Sequence, residues 1–157
     1  MTEFRHMRLG ENQTTKEYAE KMLKEASNGV LAIQTEDGFP ITVPVNFVYK
    51  DNKILFHGAN EGQKYELIQK EPRVSFCVVA RDEIRPDLIT SLFGSTIVIG
   101  KVHEITGDEK LDCVVSILNK YMPESLEAGM KYFKTSQDKM ACYAIEIEHM
   151  TGKVGTP

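Results

Sequence analysis

The chain has 157 residues, of which 41% are hydrophobic and 27% charged, proportions typical of a globular protein and unlike those of disordered or collagen-like chains. Its 19 Lys and Arg against 23 Asp and Glu give a net charge of −4, which argues against nucleic acid as a partner and against attraction to anionic membranes. The length fits one domain, predicted over 1–157 with residues 1–13 as an N-terminal arm.

The first part of the chain predicts a helix followed by strands. Thr14 and Glu17 have the spacing of a capping box, and apolar residues then recur at helical spacing until Asn28-Gly29 ends the helix. Three strands are predicted next, the first two separated by a tight turn at Asp37-Gly38; they cover residues 30–35, 39–49 and 53–57.

The remainder alternates between helix and strand patterns. We predict a short helix over 61–69, a strand over 73–80, a polar loop over 81–89 and a long strand over 95–104. A second capping box, Thr106 with Glu109, begins a helix that Pro123 ends, and a short helix follows. The clean alternation over 141–149 predicts a sixth strand. The fold class is therefore mainly β with flanking helices, arranged as a small antiparallel barrel.

The cysteines and the N-terminal residues indicate the cellular compartment of the protein. Cys77, Cys113 and Cys142 are far apart in sequence and form no CxxC pair, which indicates free thiols rather than a zinc site or a disulfide framework. No apolar segment follows the first ten residues, and no apolar run is long enough to cross a bilayer. We expect a cytoplasmic protein with no resident metal.

The segment from Phe56 to Lys64 is the strongest candidate for a binding site. A strand passes through small residues directly into the start of a helix, where free N–H groups and the helix dipole favour an anion. Lys64, in the first turn of that helix, is placed to hold a phosphate or else is an ordinary solvated lysine. His57 just before it is either a catalytic group or a hydrogen-bonded structural residue.

Two further segments favour ligand contacts less specifically. Pro40 and Pro44 are four residues apart, so both missing N–H groups fall on one edge of the strand, leaving backbone groups of Thr42 and Asn46 free for a ligand. The alternative is an edge strand that proline protects against aggregation. Ser95 and Thr96 could donate hydroxyl hydrogen bonds to a phosphate, although threonine is common in strands.

The order of several short motifs resembles the pyridoxamine 5′-phosphate oxidase-like split-barrel flavoproteins, in particular the branch that includes 5-nitroimidazole-resistance proteins. The similarity runs from Gly29 to Lys153, and its landmarks are Asp37-Gly38-Phe39-Pro40, Pro44-Val45-Asn46-Phe47, Phe56-His57-Gly58-Ala59, Gly62-Gln63-Lys64, Phe93-Gly94-Ser95-Thr96, Lys120-Tyr121-Met122-Pro123 and Thr151-Gly152-Lys153. The arginine-rich signature with which true pyridoxamine-phosphate oxidases hold their substrate is missing from residues 151–157, so we do not expect vitamin B6 phosphate as the substrate.

The resemblance implies a six-stranded antiparallel split β-barrel that forms a homodimer with FMN at the subunit interface. It implies that Lys64 reaches the FMN phosphate, that Ser95 and Thr96 approach the cofactor from the partner subunit, and that His57 lies near the reactive face of the flavin as the candidate catalytic residue. The segments expected along the flavin ring comprise Val43, Pro44, Val45, Asn46, Phe56, His57, Gly58 and Ala59.

The function implied is that of an NAD(P)H-dependent reductase of a small electron-poor acceptor such as a nitroaromatic. In such enzymes the flavin carries out the electron transfer, and the protein supplies orientation and electrostatics. The alternative is a non-enzymatic carrier or sensor that binds flavin or haem, because relatives of this fold bind different cofactors and fold alone does not decide function.

Overall fold

A computed structural model describes residues 4–155, so residues 1–3 of the predicted arm and residues 156–157 lie outside the described part. Between these limits the helices are α1 (Lys16–Glu25), α2 (Gln63–Lys70), α3 (Gly107–Tyr121) and α4 (Leu126–Ser136). The strands are β1 (Gly29–Gln34), β2 (Pro40–Val45), β3 (Phe47–Lys50), β4 (Lys53–Ala59), β5 (Arg73–Arg85), β6 (Thr90–Ile105) and β7 (Met140–Val154).

All described strands belong to one antiparallel sheet with the order β2-β1-β5-β6-β7-β4-β3. The two edge strands, β2 and β3, are consecutive in the chain and are separated only by Asn46. Because one residue cannot span an open sheet, the sheet curls until its two edges meet at Asn46, with no hydrogen-bonded ladder between them. This is the open form of barrel that the sequence predicts, with the opening between β2 and β3.

The sheet has seven strands where the sequence predicts six, so the predicted count is wrong. The predicted strand over 39–49 is two strands in the structure, since residues before Asn46 pair with β1 and residues after it pair with β4. The alternation of apolar residues continues through the change of partner, which is why the pattern does not reveal it. The prediction that Pro40 and Pro44 mark an edge strand is confirmed.

The predicted polar loop over 81–89 is also wrong. β5 continues to Arg85 and pairs with the first residues of β6, forming a two-stranded ribbon beyond a bulge between Val79 and Arg81. Charged side chains pair along this ribbon, with Arg81 2.7 Å from Glu83 and Arg85 2.7 Å from Asp87. The β5 part of this ribbon is largely exposed, so its composition resembles that of a loop.

The core lies inside the curled sheet and is dominated by aromatic pairs. The rings of Phe47 and Phe76 meet edge to face at 4.9 Å, and those of Phe56 and Tyr143 stack at 5.0 Å. A second apolar cluster lies between α3, α4 and the outside of β4 and β7. The strand ends that border the opening are thus held by packing from both sides.

The residues that cap the helices differ slightly from those predicted. Thr15 rather than Thr14 caps α1, accepting a hydrogen bond from the backbone N–H of Tyr18 at 3.3 Å. Thr106 is the residue before α3, as predicted, but its hydroxyl makes no capping bond. None of the helices between residues 4 and 155 combines the length and apolar character needed to cross a bilayer.

The three cysteines are free thiols, as predicted. Cys113 on α3 and Cys142 on β7 are fully buried, and Cys77 on β5 is partly buried. Burial raises the pKa of the Cys77 thiol above its ordinary value, so this thiol is protonated and unreactive near neutral pH.

Candidate functional site

The candidate site lies at the opening of the barrel, where two strands expose unpaired backbone. β3 pairs with β4 only as far as Phe47 opposite Phe56. Residues His57 to Ala59 at the end of β4 therefore keep β7 on one side and have no strand partner on the other. Asn46, between β2 and β3, and His57, on β4, are the next residues beyond that last pair. The structure thus brings together the two predicted ligand-binding segments, 43–46 and 56–59.

Lys64 adds a half-buried positive charge to this opening. α2 begins at Gln63 after Gly62, which has a φ of 90° that L side chains rarely adopt. In the first turn, the Lys64 ammonium lies against Gly58 and 6.0 Å from the centre of the Phe56 ring. Burial lowers its pKa from the ordinary lysine value, and no carboxylate among residues 4–155 acts in the other direction. A half-buried ammonium without a counter-charge is the chemistry of an anion site.

His57 follows Phe56 at the free end of β4, and its side chain faces the space between α3 and α4. Burial of the imidazole lowers the pKa of His57 below its ordinary value of 6.5, and the positive charge of Lys64 lowers it further. The imidazole is therefore neutral at neutral pH, with one nitrogen able to donate and the other able to accept a hydrogen bond. Its side chain nonetheless retains an exposed surface, so a ligand in the opening can reach it.

The β2 segment contributes side chains of two kinds. Val45 is buried, and Val43 is partly buried against the core, so both face inward. Pro44 and Asn46 are exposed, and a ligand in the opening would meet their side chains. Phe56 is completely buried under Tyr143, and it pairs with Phe47 on β3 and Tyr143 on β7, so it has no exposed surface at the opening.

Ser95 and Thr96 lie on opposite faces of β6, so they cannot serve one ligand together. Ser95 lies on the outer face of the sheet, between Val79 on β5 and Lys153 on β7. Thr96 is fully buried, and its hydroxyl donates a hydrogen bond to the carbonyl oxygen of Ala19 on α1 at 3.0 Å. The hydroxyl of Thr96 thus ties α1 to the barrel, whereas that of Ser95 remains available to a neighbour outside it.

Comparison with known proteins identifies the family to which this architecture belongs. Residues 15–154 match the family model described as pyridoxamine 5′-phosphate oxidase. The chain belongs to the pyridoxamine 5′-phosphate oxidase family. The resemblance seen in the sequence motifs is therefore confirmed at the level of the family, over nearly the whole chain. Among proteins with curated descriptions, none matched the chain significantly.

Solved structures share this fold at low sequence identity. A protein assigned to 5-nitroimidazole antibiotic resistance from Bacteroides thetaiotaomicron is 23% identical, with a TM-score of 0.74 over 89% of this chain and 84% of that one. An FAD-binding protein from Mesorhizobium loti is also 23% identical, with a TM-score of 0.67 over 92% and 96%. The flavocytochrome of Azotobacter vinelandii is 16% identical, with a TM-score of 0.80 over 97% and 73%.

The sequence motifs include Lys120 and Tyr121 only as part of a family landmark, whereas in the structure these two α3 residues hold the opening of this pyridoxamine 5′-phosphate oxidase-family barrel. Tyr121 accepts a hydrogen bond from the Phe47 backbone N–H at 2.9 Å and lies 2.6 Å from the Ser27 carbonyl oxygen, to which it can donate. The Lys120 ammonium donates to the carbonyl oxygens of Phe47 at 3.0 Å and Ala26 at 2.7 Å. They satisfy backbone groups that lack a strand partner at the start of β3. Their role was not predicted, because the landmark Lys120-Tyr121-Met122-Pro123 does not indicate which backbone groups these side chains contact.

Proposed function

We propose that the opening of the barrel binds a flavin, FMN, with its phosphate at Lys64. The observation that carries this proposal is the half-buried Lys64 ammonium, which has no carboxylate partner among the described residues and lies beside strand ends with unpaired backbone. A phosphate there would supply the missing charge, and the nearby start of α2 would add N–H donors.

The residues around Lys64 fit a flat, polar-edged ring system. The free backbone of 57–59 can hydrogen-bond to such an edge, and Pro44 and Asn46 offer an exposed wall on the other side of the opening. Similar structures include an FAD-binding protein, an FAD- and heme-binding protein from Mycobacterium smegmatis and a flavocytochrome, which supports a flavin over other anionic ligands.

The activity proposed is that of an NAD(P)H-dependent reductase of a small electron-poor acceptor, such as a nitroaromatic. A bound flavin would supply hydride and electron transfer. The chain would supply position and charge: Lys64 holds the phosphate, backbone groups of 57–59 fix the ring edge, and neutral His57 orients the acceptor or donates a hydrogen bond to it. We assign His57 as the catalytic residue.

A homodimer would complete the site. Val30, Cys77 and Ile97 are directly paired across three strands on the outer face of the sheet, and Val79 and Ile99 extend this apolar surface. Clustered exposed apolar side chains of this kind mark protein interfaces. Ser95 lies at the border of the same face, where its hydroxyl would point towards the partner subunit and its cofactor.

A second candidate is a carrier or sensor without turnover, which binds flavin or haem. The similarity to a flavocytochrome and to an FAD- and heme-binding protein supports this alternative. The partly exposed imidazole of His57 is the haem ligand that it would use. The two candidates make different predictions for the same preparation of protein.

The test is the visible absorption spectrum of purified protein before and after incubation with FMN and gel filtration, followed by oxidation of NADH or NADPH with a nitroaromatic acceptor. We expect retained flavin bands at about one FMN per chain and protein-dependent nicotinamide oxidation. A Soret band, or retained flavin without any turnover, would contradict the reductase and support the carrier or sensor. No retained chromophore would contradict both.

A further inference from the structure

An apolar cavity of about 310 Å³ lies between α3 and α4, on the side of β4 away from the barrel core. Its walls include Ile117 and Leu118 from α3, Tyr132 from α4 and Met140 at the start of β7, and His57 lies at its border. None of its lining residues carries a formal charge when His57 is neutral. The volume is at the lower end of the range of about 300–1,000 Å³ found for small-molecule sites.

The two helices that border this space approach each other closely at Gly129. A Cβ atom at Gly129 would lie 2.9 Å from Leu118 Cδ1 and would overlap Leu118 Cδ2, so only glycine permits this approach of α4 to α3. Glycine within a helix costs about 1 kcal/mol relative to alanine. The connection through Met122 and Pro123 then directs the helices around the cavity.

His57 connects the cavity to the opening where we place the flavin. Its imidazole borders the apolar space, and its backbone lies at the free end of β4, which borders the opening. A ligand in the cavity would therefore meet His57 on the side that faces the opening and mostly apolar walls elsewhere, with Ser125 and Tyr132 as the other hydroxyl-bearing lining residues. Transfer of a charged molecule into such walls without a counter-charge is strongly unfavourable, so an uncharged ligand fits best.

We propose that the cavity between α3 and α4 binds the electron acceptor, and that this acceptor is a small, uncharged aromatic molecule whose polar group faces His57. The role as acceptor rests on the proposed function, whereas the binding of an uncharged aromatic rests on the cavity alone. The faces of the aromatic ring pack against the apolar walls, and the neutral imidazole donates a hydrogen bond to the polar group or accepts one from it.

The test is a fluorescence titration of the full-length protein with N-phenyl-1-naphthylamine, an uncharged aromatic amine that brightens in apolar surroundings. Val114 lines the cavity and Val115, its neighbour on the same helix, does not. We expect saturable binding of one probe per chain, at least tenfold weaker binding by Val114→Phe, and binding within twofold of the parent by Val115→Phe.

Tyr132 and Tyr18 give a second matched pair, because both are exposed helix residues whose loss would not unfold the protein. Tyr132→Ala should weaken binding at least threefold, and Tyr18→Ala, which is outside the cavity, should leave it unchanged. This pair decides the question if circular dichroism shows that Val114→Phe does not fold. Absence of saturable binding, or equal binding by the parent and the folded cavity variants, would overturn the proposal.

Flavin retention is measured separately in the same samples by visible absorption. A protein that binds the probe in a cavity-dependent way but retains no flavin would contradict the proposed function and support the aromatic site. A protein that retains flavin but does not bind the probe would contradict only the aromatic site.

Discussion

Gly58 on β4 and Lys64 on α2 share one contact, in which the lysine ammonium occupies the space that a Cβ atom on residue 58 would need. The small residue lets the charged end of the side chain lie against the strand at the barrel opening. Any larger residue at position 58 would displace the ammonium, and because a lysine side chain is flexible it would move aside rather than disrupt the fold.

Lys64→Met and Gly58→Ala are both expected to weaken FMN binding. Loss of a charge-assisted hydrogen bond of about 1.5–3 kcal/mol corresponds to about a 10–150-fold higher Kd, and Gly58→Ala should give a smaller change in the same direction. Isothermal titration with FMN measures both. Lys70→Met is the control, since Lys70 is at the other end of α2 and is paired with Glu36. Equal affinity of Lys64→Met and the parent protein would remove Lys64 from the site.

The ionisation of His57 is expected to respond to Lys64. The folded-state pKa of His57 lies below 6.5, so near that value the folded chain binds fewer protons than the unfolded chain. The contribution of this pKa difference to the free energy of unfolding is fully present above pH 6.5 and is lost as the pH falls through the folded-state pKa. Lys64→Met removes a repelling charge and should raise the pKa of His57, as followed by NMR titration of the imidazole. An unchanged pKa would show that the lysine charge does not reach the ring.

Tyr121→Phe should destabilise the barrel opening without touching the core. The variant leaves the Phe47 N–H without its acceptor, and an unsatisfied, partly buried donor costs about 1–3 kcal/mol in free energy of unfolding. Urea denaturation measures this difference. Tyr132→Phe, in which the tyrosine is 69% exposed, should change stability by less than about 0.5 kcal/mol. Similar losses in the two variants would contradict the role of Tyr121.

Thr96→Val should lower only the stability of the protein, and Ser95→Ala should weaken only its FMN binding. The Thr96 hydroxyl is buried and bonded to Ala19, so its loss should cost about 0.5–1.5 kcal/mol of stability and leave FMN affinity unchanged. Ser95→Ala should leave stability unchanged and weaken FMN binding several-fold, because we assign that hydroxyl to the partner's cofactor. Chemical denaturation and FMN titration of both variants decide whether one, both or neither hydroxyl belongs to the site.

Ile97→Glu should convert a dimer into a monomer. Ile97 is 45% exposed in the centre of the apolar outer face, where a carboxylate would be buried without a partner on association. Leu111→Glu on α3, where the leucine is 41% exposed, provides a control of the same chemistry. Sedimentation equilibrium gives the oligomeric state of each. A dimeric Ile97→Glu variant would place the interface elsewhere.

Local patterns were sufficient to predict most of the secondary structure but not the pairing of strands. Cleanly alternating segments such as 141–149 lie within strands as predicted, since burial of one face imposes a period of two. The division of 39–49 at Asn46 depends on which strand lies beside each half, and sequence periodicity carries no information on that choice. The exposed ribbon at 81–85 was missed for the converse reason, because it has no buried face.

The sequence predicted the part of the candidate site whose residues are close together in the chain. It did not predict contacts that depend on the fold. Gly58 and Lys64 are close in sequence, so a strand entering a helix was enough to assign both to one candidate site, whereas their direct contact is seen only in the structure. The opposite orientations of Ser95 and Thr96 follow from alternation, but which face is buried depends on α1 packing over Thr96. The contact of Tyr121 with Phe47 joins residues 74 positions apart, beyond the reach of any local pattern.

The position of β7 in the sheet has a consequence for synthesis on the ribosome. The hairpin of β3 and β4 joins the rest of the sheet only through β7, where Lys53 pairs with Glu146, whereas β1, β2, β5 and β6 can pair with one another before β7 is made. A nascent chain therefore carries this hairpin with an open edge until residues 140–154 have left the exit tunnel. β7 completes the walls of the opening, so a ligand can bind there only after residues 140–154 have emerged and paired with β4.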